Sequence, residues 1–172
     1  MTYPRLTNMT REHIATQAVK NAFEPREAQL AKDEDALARE AYAAVFTADE
    51  IKKAVALPKN WLRRDSCLNF NVAGLRIELC TLENHMPVPY RSKNGDSGYG
   101  CHRDQGSIMA GELADRITAH AVAKDALRQE RRDTYRKLNS MLSSITTIKK
   151  LEEAWPEGKP FYEINAALGL TA

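Results

Sequence analysis

One segment constrains the fold more than any other, because apolar and polar residues alternate on both sides of a two-residue turn. Residues 67–81 read CLNFNVAGLRIELCT, with Ala73-Gly74 between the two runs. This arrangement predicts a β-hairpin. Only the register that pairs Val72 with Leu75 keeps the apolar side chains on one face, because strand side chains alternate and a one-residue shift exchanges the faces. The residues predicted to be buried are Leu68, Phe70, Val72, Leu75, Ile77 and Leu79.

The opposite face of the hairpin holds two of the three cysteines. Cys67 faces Cys80 at a pair without backbone hydrogen bonds, where side chains approach most closely. A cross-strand disulfide fits this geometry, and with Cys101 and His102 the pair offers four ligands for zinc. No CxxC or HxxxH spacing supports zinc, and the N-terminus has no apolar leader, which favours a reducing cytoplasm. We therefore expect three free thiols, no metal and no cofactor.

Helices are predicted on both sides of the hairpin. Residues 10–46 are rich in Ala, Glu, Arg and Leu and contain no glycine. Pro25 interrupts them and should start a new helix or kink a continuous one. Thr47 to Glu50 reads as a capping box, which opens a short helix before Pro58. The N-terminal helices should cover residues 10–57.

Residues 110–155 contain a second helical segment with four-and-three spacing along one seam. Lys124 and Arg131 fall on this seam, where an unpaired charge is costly. Acids should meet them, or that part of the helix should project beyond the core; the candidate acids are Asp33, Glu34 and Asp35. A Ser/Thr cluster at 143–147 should cap a shorter helix ending at Trp155. The chain is thus predicted to be a single α+β domain over residues 1–172, with two long helical segments packed on the central hairpin.

Charge is distributed unevenly along the two helical segments. Residues 124–150 hold eight basic and three acidic side chains, whereas residues 24–53 hold five basic and eight acidic ones. Antiparallel packing of the two segments would let these charges complement each other. If the basic part projects instead, the row formed by Arg128, Arg132 and Arg136 suits a DNA backbone or an acidic protein. The formal net charge of only +2 argues against a basic coat for nucleic acid.

A long irregular loop is predicted at residues 83–106, which have no periodicity, two prolines and four glycines. Loops of this length are usually functional or disordered. Its aromatic and basic residues are typical anchors of interfaces, and we favour a protein partner over nucleic acid. The predicted partner-binding residues are Tyr90, Arg91, Lys93, Tyr99 and Arg103. Residues 95–100 lack the GxxxxGK[ST] pattern of a phosphate loop.

An enzymatic reading rests on the same loop. Cys101 and His102 are neighbours in sequence, and Asp96 or Asp104 could assist them. A nucleophile needs a base within hydrogen-bond reach, and adjacency in sequence does not supply that geometry. We therefore assign no catalytic residue.

A resemblance emerges at the C-terminal end. The run SITTIKKLEEAWPE at 144–157 follows a long charged helix, and the central hairpin contains Asn-x-Asn-Val-x-Gly. Together with the Ala/Glu-rich N-terminus, these features resemble the phage and prophage family called nucleotide modification associated domain 5. The resemblance implies association with DNA-modification genes and no established reaction, so no catalytic residue is transferred from it.

Three functions remain in view. The favoured one is a non-catalytic phage-type accessory protein in the host cytoplasm, which binds a DNA-modification enzyme or a host defence or nucleic-acid enzyme. The second is an enzyme acting on nucleotides or modified DNA through the Cys101 and His102 loop. The third is a DNA-binding protein that uses the basic C-terminal helix.

Overall fold

The computed structural model describes residues 5–56, 67–82, 86–89 and 105–162. The fold is α+β, as predicted, with long helices before and after a small mixed sheet. The elements are α1 (Asn8–Val45), α2 (Ala48–Ala56), β1 (Cys67–Val72), β2 (Leu75–Cys80), β3 (Gly106–Ile108), α3 (Glu112–Ser143), α4 (Ile148–Ala154) and a 3₁₀ turn (Pro156–Gly158). None of the described helices is long and apolar enough to cross a membrane.

The helix ends follow local capping signals. The α1 helix continues through Pro25, so the alternative that a new helix starts there is wrong. Thr47 and Glu50 form the predicted capping box before α2, with the Thr47 amide donating to Glu50 Oε2 at 2.8 Å and the Glu50 amide donating to Thr47 Oγ1 at 3.2 Å. Thr147 caps α4, which ends at Ala154 before Trp155. These side chains satisfy amides that have no partner inside the helix.

The hairpin has the predicted register, from Val72 opposite Leu75 to Cys67 opposite Cys80. Ala73 and Gly74 both have positive φ angles, of 48° and 82°, as a two-residue turn of type I′ requires. The apolar face is buried with one exception. Leu75 is 59% exposed, and the prediction of its burial is wrong. It lies at the turn end of β2, which is an edge strand in the order β2-β1-β3.

The third strand was not predicted. β3 runs parallel to β1 on its other side, with Gly106 opposite Phe70. Gln105 extends this contact, because its amide donates to Asn69 O at 2.5 Å and its side chain accepts from the Asn69 amide at 2.7 Å. The predicted loop at 83–106 is therefore wrong at its C-terminal end, where the chain joins the sheet.

Part of the same predicted loop packs onto the core. Val88 is buried, and Tyr42 donates its hydroxyl hydrogen to the carbonyl of Pro87. Burial raises the pKa of the Tyr42 hydroxyl above 10.0, which keeps it protonated as a donor. Residues 86–89 are thus held by contacts with the core rather than left as an irregular connection.

Cys67 and Cys80 form a disulfide. The expectation of free thiols is therefore wrong for this pair, whereas Cys101 lies outside the described residues. The facing position across a non-hydrogen-bonded pair brings the two sulfurs together. The expectation of free thiols was based on a reducing cytoplasm, and it did not take this local geometry into account.

The residues group into two compact units. Unit 1 comprises Met1–Glu27 and Asp125–Ala172, and unit 2 comprises Ala28–Lys124. Each has its own core. Unit 1 buries Leu6, Ile14, Ala15, Leu142, Ile145, Leu151 and Tyr162. Unit 2 buries the inner face of the sheet against helix residues, including Leu37, Ala38, Ala41, Tyr42, Phe46, Ala114 and Ile117. That residues 1–172 form a single domain stays a prediction.

Candidate functional site

A groove in unit 1 gathers basic side chains along one face of α3. Its volume is ≈ 480 Å³, and it is lined by Thr16 and Val19 of α1 and by Arg128, Arg131, Arg132, Tyr135 and Arg136 of α3. The α3 residues are spaced by three and four positions, which places them on one side of a helix over successive turns. We call this surface the arginine groove.

One groove arginine forms an ion pair with a carboxylate on the other helix. Arg131 Nη1 lies 2.7 Å from Glu27 Oε1. Next to it, the guanidinium of Arg26 donates two hydrogen bonds of 2.8 Å to the carboxylate of Glu130. These bonds lower the pKa of Glu130 below 4.5, so the carboxylate is charged at neutral pH. The two pairs join α1 to α3 within unit 1.

Among the described residues, the ion pairs and hydrogen bonds of the other three groove arginines are made to side chains of their own helix. Arg128 lies 3.4 Å from Asp125, and Arg136 lies 3.3 Å from Asp133. Arg132 donates to the amide oxygen of Gln129 at 2.8 Å and has no carboxylate partner among the described residues. Exposed pairs of this kind contribute little stability. Since these contacts do not join α1 to α3, an anionic ligand that replaced them would break no ion pair between the two helices.

The sequence therefore identified one wall of the groove and missed the other. Arg128, Arg132 and Arg136 were selected as a row, and the structure brings them together in one concave surface. Thr16 and Val19 come from α1, and no sequence signal indicated which α1 residues face that row. Nucleic-acid binding by these arginines stays a prediction.

A buried carboxylate in unit 2 forms a second polar cluster. Glu34 is only 4% exposed, and its Oε2 lies 2.6 Å from Lys124 Nζ. The prediction that Glu34 is among the acids meeting the seam lysine is confirmed. The Cys80 amide donates to Glu34 Oε1 at 2.7 Å, and His120 Nε2 lies 3.6 Å from Oε2. Because the cluster is enclosed and joins α1, α3 and β2, we interpret it as structural.

A third group of reactive side chains lies on the outer face of the hairpin. One donor atom from each of Cys67, Glu78 and Cys80 lies within 4.8 Å of the others. Cys80 Sγ is 4.0 Å from Glu78 Oε1. Glu78 is exposed, and the two cysteines are half-buried.

The sites predicted on the loop cannot be placed. The residues proposed for partner binding, Tyr90, Arg91, Lys93, Tyr99 and Arg103, lie outside the described residues, as do Asp96, Cys101, His102 and Asp104. The protein-partner and enzymatic hypotheses that depend on them stay predictions.

Comparison with known families identifies one family that matches most of the chain. Residues 5–167 match the family described as nucleotide modification associated domain 5. The chain belongs to this family. The resemblance carried by the hairpin and by residues 144–157 is thereby confirmed, and the match extends over both structural units of this nucleotide modification associated domain. No curated protein and no solved structure matches the chain.

Proposed function

We propose that this protein is a non-catalytic, phage-type accessory protein of a nucleotide-modification system, which binds nucleic acid through the arginine groove. The observation that supports it is the convergence of Arg128, Arg132 and Arg136 in one groove, where their polar partners in the described part of the chain are side chains of the same helix. The family description, which names an association with nucleotide modification, is consistent with such a ligand.

The chemistry of the groove suits phosphate groups. Guanidinium groups make charge-assisted, often bidentate hydrogen bonds to phosphate oxygens. Successive members of the row are four residues apart, which corresponds to about 6 Å along the helix axis. Tyr135 adds an aromatic ring beside the cations, and base stacking on aromatic rings is tolerant of sequence. We therefore expect backbone contacts and little base specificity.

The same lining residues favour binding over catalysis. Among the described residues that form the groove, none is His, Cys, Asp or Glu. General acid–base and nucleophilic catalysis depend on such groups, whereas phosphate recognition does not. The groove can hold an anion, but its lining offers no base to activate water.

Binding is tested by fluorescence anisotropy with single- and double-stranded DNA over a range of salt concentrations. The variant Arg128→Gln/Arg132→Gln/Arg136→Gln keeps Arg131 and its pairing with Glu27. If three phosphate contacts on duplex DNA are lost, the negative slope of log K against log salt should become shallower by about 2.7. The matched control Lys32→Gln/Lys52→Gln/Lys53→Gln removes the same charge from exposed positions in unit 2 and should bind like the unmodified protein.

Two results would reject the arginine groove as the binding surface. One is normal DNA binding by the arginine variant. The other is equal weakening by both triple variants, which would indicate attraction to charge at any position. The competing protein-partner hypothesis predicts a different pattern, in which Tyr90→Ala/Tyr99→Ala loses a partner protein at all salt concentrations and the arginine variant retains it.

A further inference from the structure

The outer face of the hairpin carries a cluster that the proposed nucleic-acid binding does not use. Side chains on this face point away from the buried set, because Cys67, Glu78 and Cys80 alternate with core residues along their strands. The sulfurs of Cys67 and Cys80 are joined as a disulfide, and the Glu78 carboxylate lies beside them. Once the disulfide is reduced, two thiolates and a carboxylate can face one another here, and thiolate sulfur and carboxylate oxygen are each ligands that zinc accepts in proteins.

We propose that reduction of the Cys67–Cys80 disulfide converts this cluster into a binding site for a thiophilic divalent cation such as zinc, with Cys67, Glu78 and Cys80 as ligands. This inference is independent of the nucleic-acid proposal, since the cluster lies in unit 2 and the groove in unit 1. The oxidised state holds the strands together covalently, and the reduced state holds them through the cation.

The two states are related by a balanced exchange. A dithiol reductant transfers two electrons and two protons to the disulfide, which opens to two thiols while the reductant closes to its own disulfide. The cation then displaces the two thiol protons and binds both thiolates together with the Glu78 carboxylate. In the reverse direction, a small-molecule disulfide accepts two electrons and two protons from the metal-free thiols and is itself reduced to two thiols, while Cys67 and Cys80 form their disulfide again. This closes the site, because disulfide sulfurs are not thiolates.

The geometry of the donors is close to what zinc needs. With Zn–S distances of about 2.3 Å, two thiolates in a tetrahedral site lie about 3.8 Å apart. Facing cysteines at a non-hydrogen-bonded pair can reach this separation by small side-chain rotations. Glu78 Oε1 is already 4.0 Å from Cys80 Sγ. Three protein ligands leave a fourth position for water or another donor.

The backbone beneath the cluster is also held by contacts other than the disulfide. Ladder pairing continues from Cys67 opposite Cys80 to Val72 opposite Leu75. The outer edge of β2 is also anchored, since Glu34 accepts from the Cys80 amide at 2.7 Å and Asp35 accepts from the Leu82 amide at 2.9 Å. Reduction should therefore leave the three donors near their positions, which lowers the cost of ordering the site.

The test uses the 172-residue chain, oxidised or reduced with dithiothreitol and desalted without oxygen. Cadmium titration is followed by the ultraviolet thiolate charge-transfer band, and zinc affinity by competition with a chromophoric chelator. We expect one cation per reduced chain and none per oxidised chain at the same concentrations. Equal binding by both redox states would overturn the proposal.

Variants identify the ligands. Loss of an outer-shell partner costs roughly 10- to 100-fold in metal affinity, so loss of a direct ligand in Glu78→Gln should cost at least about tenfold. The control Glu152→Gln, at an exposed acid on α4, should bind normally. Cys80→Ser should abolish the charge-transfer band, and Cys101→Ser should leave it unchanged. Glu78→Gln keeps the disulfide, so it remains informative if Cys80→Ser fails to fold. Normal zinc affinity in Glu78→Gln, or its loss in Cys101→Ser, would contradict the assignment.

Discussion

Glu34 and Lys124 form a charged pair inside unit 2, with 2.6 Å between Oε2 and Nζ. The same carboxylate accepts the amide hydrogen of Cys80, so one buried side chain links two helices to the edge of the sheet. Desolvation makes such a pair costly to form, but removal of one partner leaves the other charge uncompensated. The pair should therefore have its largest effect on stability when one of the two partners is removed.

Glu34→Ala should lower the free energy of unfolding strongly. Breaking a buried pair typically costs about 3–5 kcal/mol, and the 25% exposure of the Lys124 side chain favours the lower end of that range. Urea denaturation followed by circular dichroism measures the loss. Asp33→Ala is the matched control, because Asp33 is exposed on the same helix and its hydrogen bond within the described part of the chain comes from Gln29. Equal losses in the two variants would refute a special role for the buried carboxylate.

Two leucines of β2 should respond differently to the same truncation. Leu79 is 1% exposed and Leu75 is 59% exposed. Leu79→Ala should therefore cost about 2–5 kcal/mol of unfolding free energy, whereas Leu75→Ala should stay within about 0.5 kcal/mol. Across the ladder, Phe70→Ala should cost about 3–5 kcal/mol and Asn69→Ala much less. Thermal and urea unfolding measure all four changes, and a large loss in Leu75→Ala would contradict the observed faces.

Gly106→Ala should destabilise the contact between β3 and α1. A Cβ atom at Gly106 would collide with Val45 Cγ1, and overpacking of this kind typically costs about 1–3 kcal/mol. Because Val45 is the obstacle, Gly106→Ala should cost less in a Val45→Ala background than in the unmodified protein. A double-mutant cycle of unfolding free energies measures this coupling. Additive losses would show that another contact excludes the side chain.

The pairing of Arg26 with Glu130 should appear in the acid titration of the protein. Hydrogen bonds from Arg26 hold the pKa of Glu130 below 4.5, so the pair adds stability above that pH and loses it as pH falls through the folded-state pKa. Carbon NMR of the Glu130 carboxyl group measures the pKa directly. In Arg26→Gln it should rise towards its ordinary value. Arg39→Gln, which instead releases Asp35, should leave the Glu130 pKa unchanged.

The sequence predicted features that depend on a repeating pattern or a local cap. The hairpin register followed from strand alternation, and the capping boundaries of α2 and α4 followed from Thr47 and Thr147. The contact between Glu34 and Lys124 could be predicted from the sequence because a charge on a helix seam requires a partner.

Features that depend on tertiary packing could not be read in the same way. β3 contains only Gly106, Ser107 and Ile108, which is too short to show a period, and its place is set by β1. Strand alternation assigned Leu75 to the apolar face of the hairpin. It did not show which residues of that face are buried by other parts of the chain. Thr16 and Val19 became part of the arginine groove only when α1 was placed beside α3.

The two units differ in how their residues are distributed along the chain, and this difference affects the order of folding during translation. Unit 2 is one continuous stretch, Ala28–Lys124, whereas unit 1 joins Met1–Glu27 to Asp125–Ala172. Arg11, for example, donates to the carbonyl of Ile145, 134 positions later. During translation, unit 2 can therefore begin to fold while residues 8–27 still lack their helical partner. The arginine groove needs both segments of unit 1, so we expect nucleic-acid affinity to appear only after α3 has left the ribosome, later than the hairpin and its disulfide.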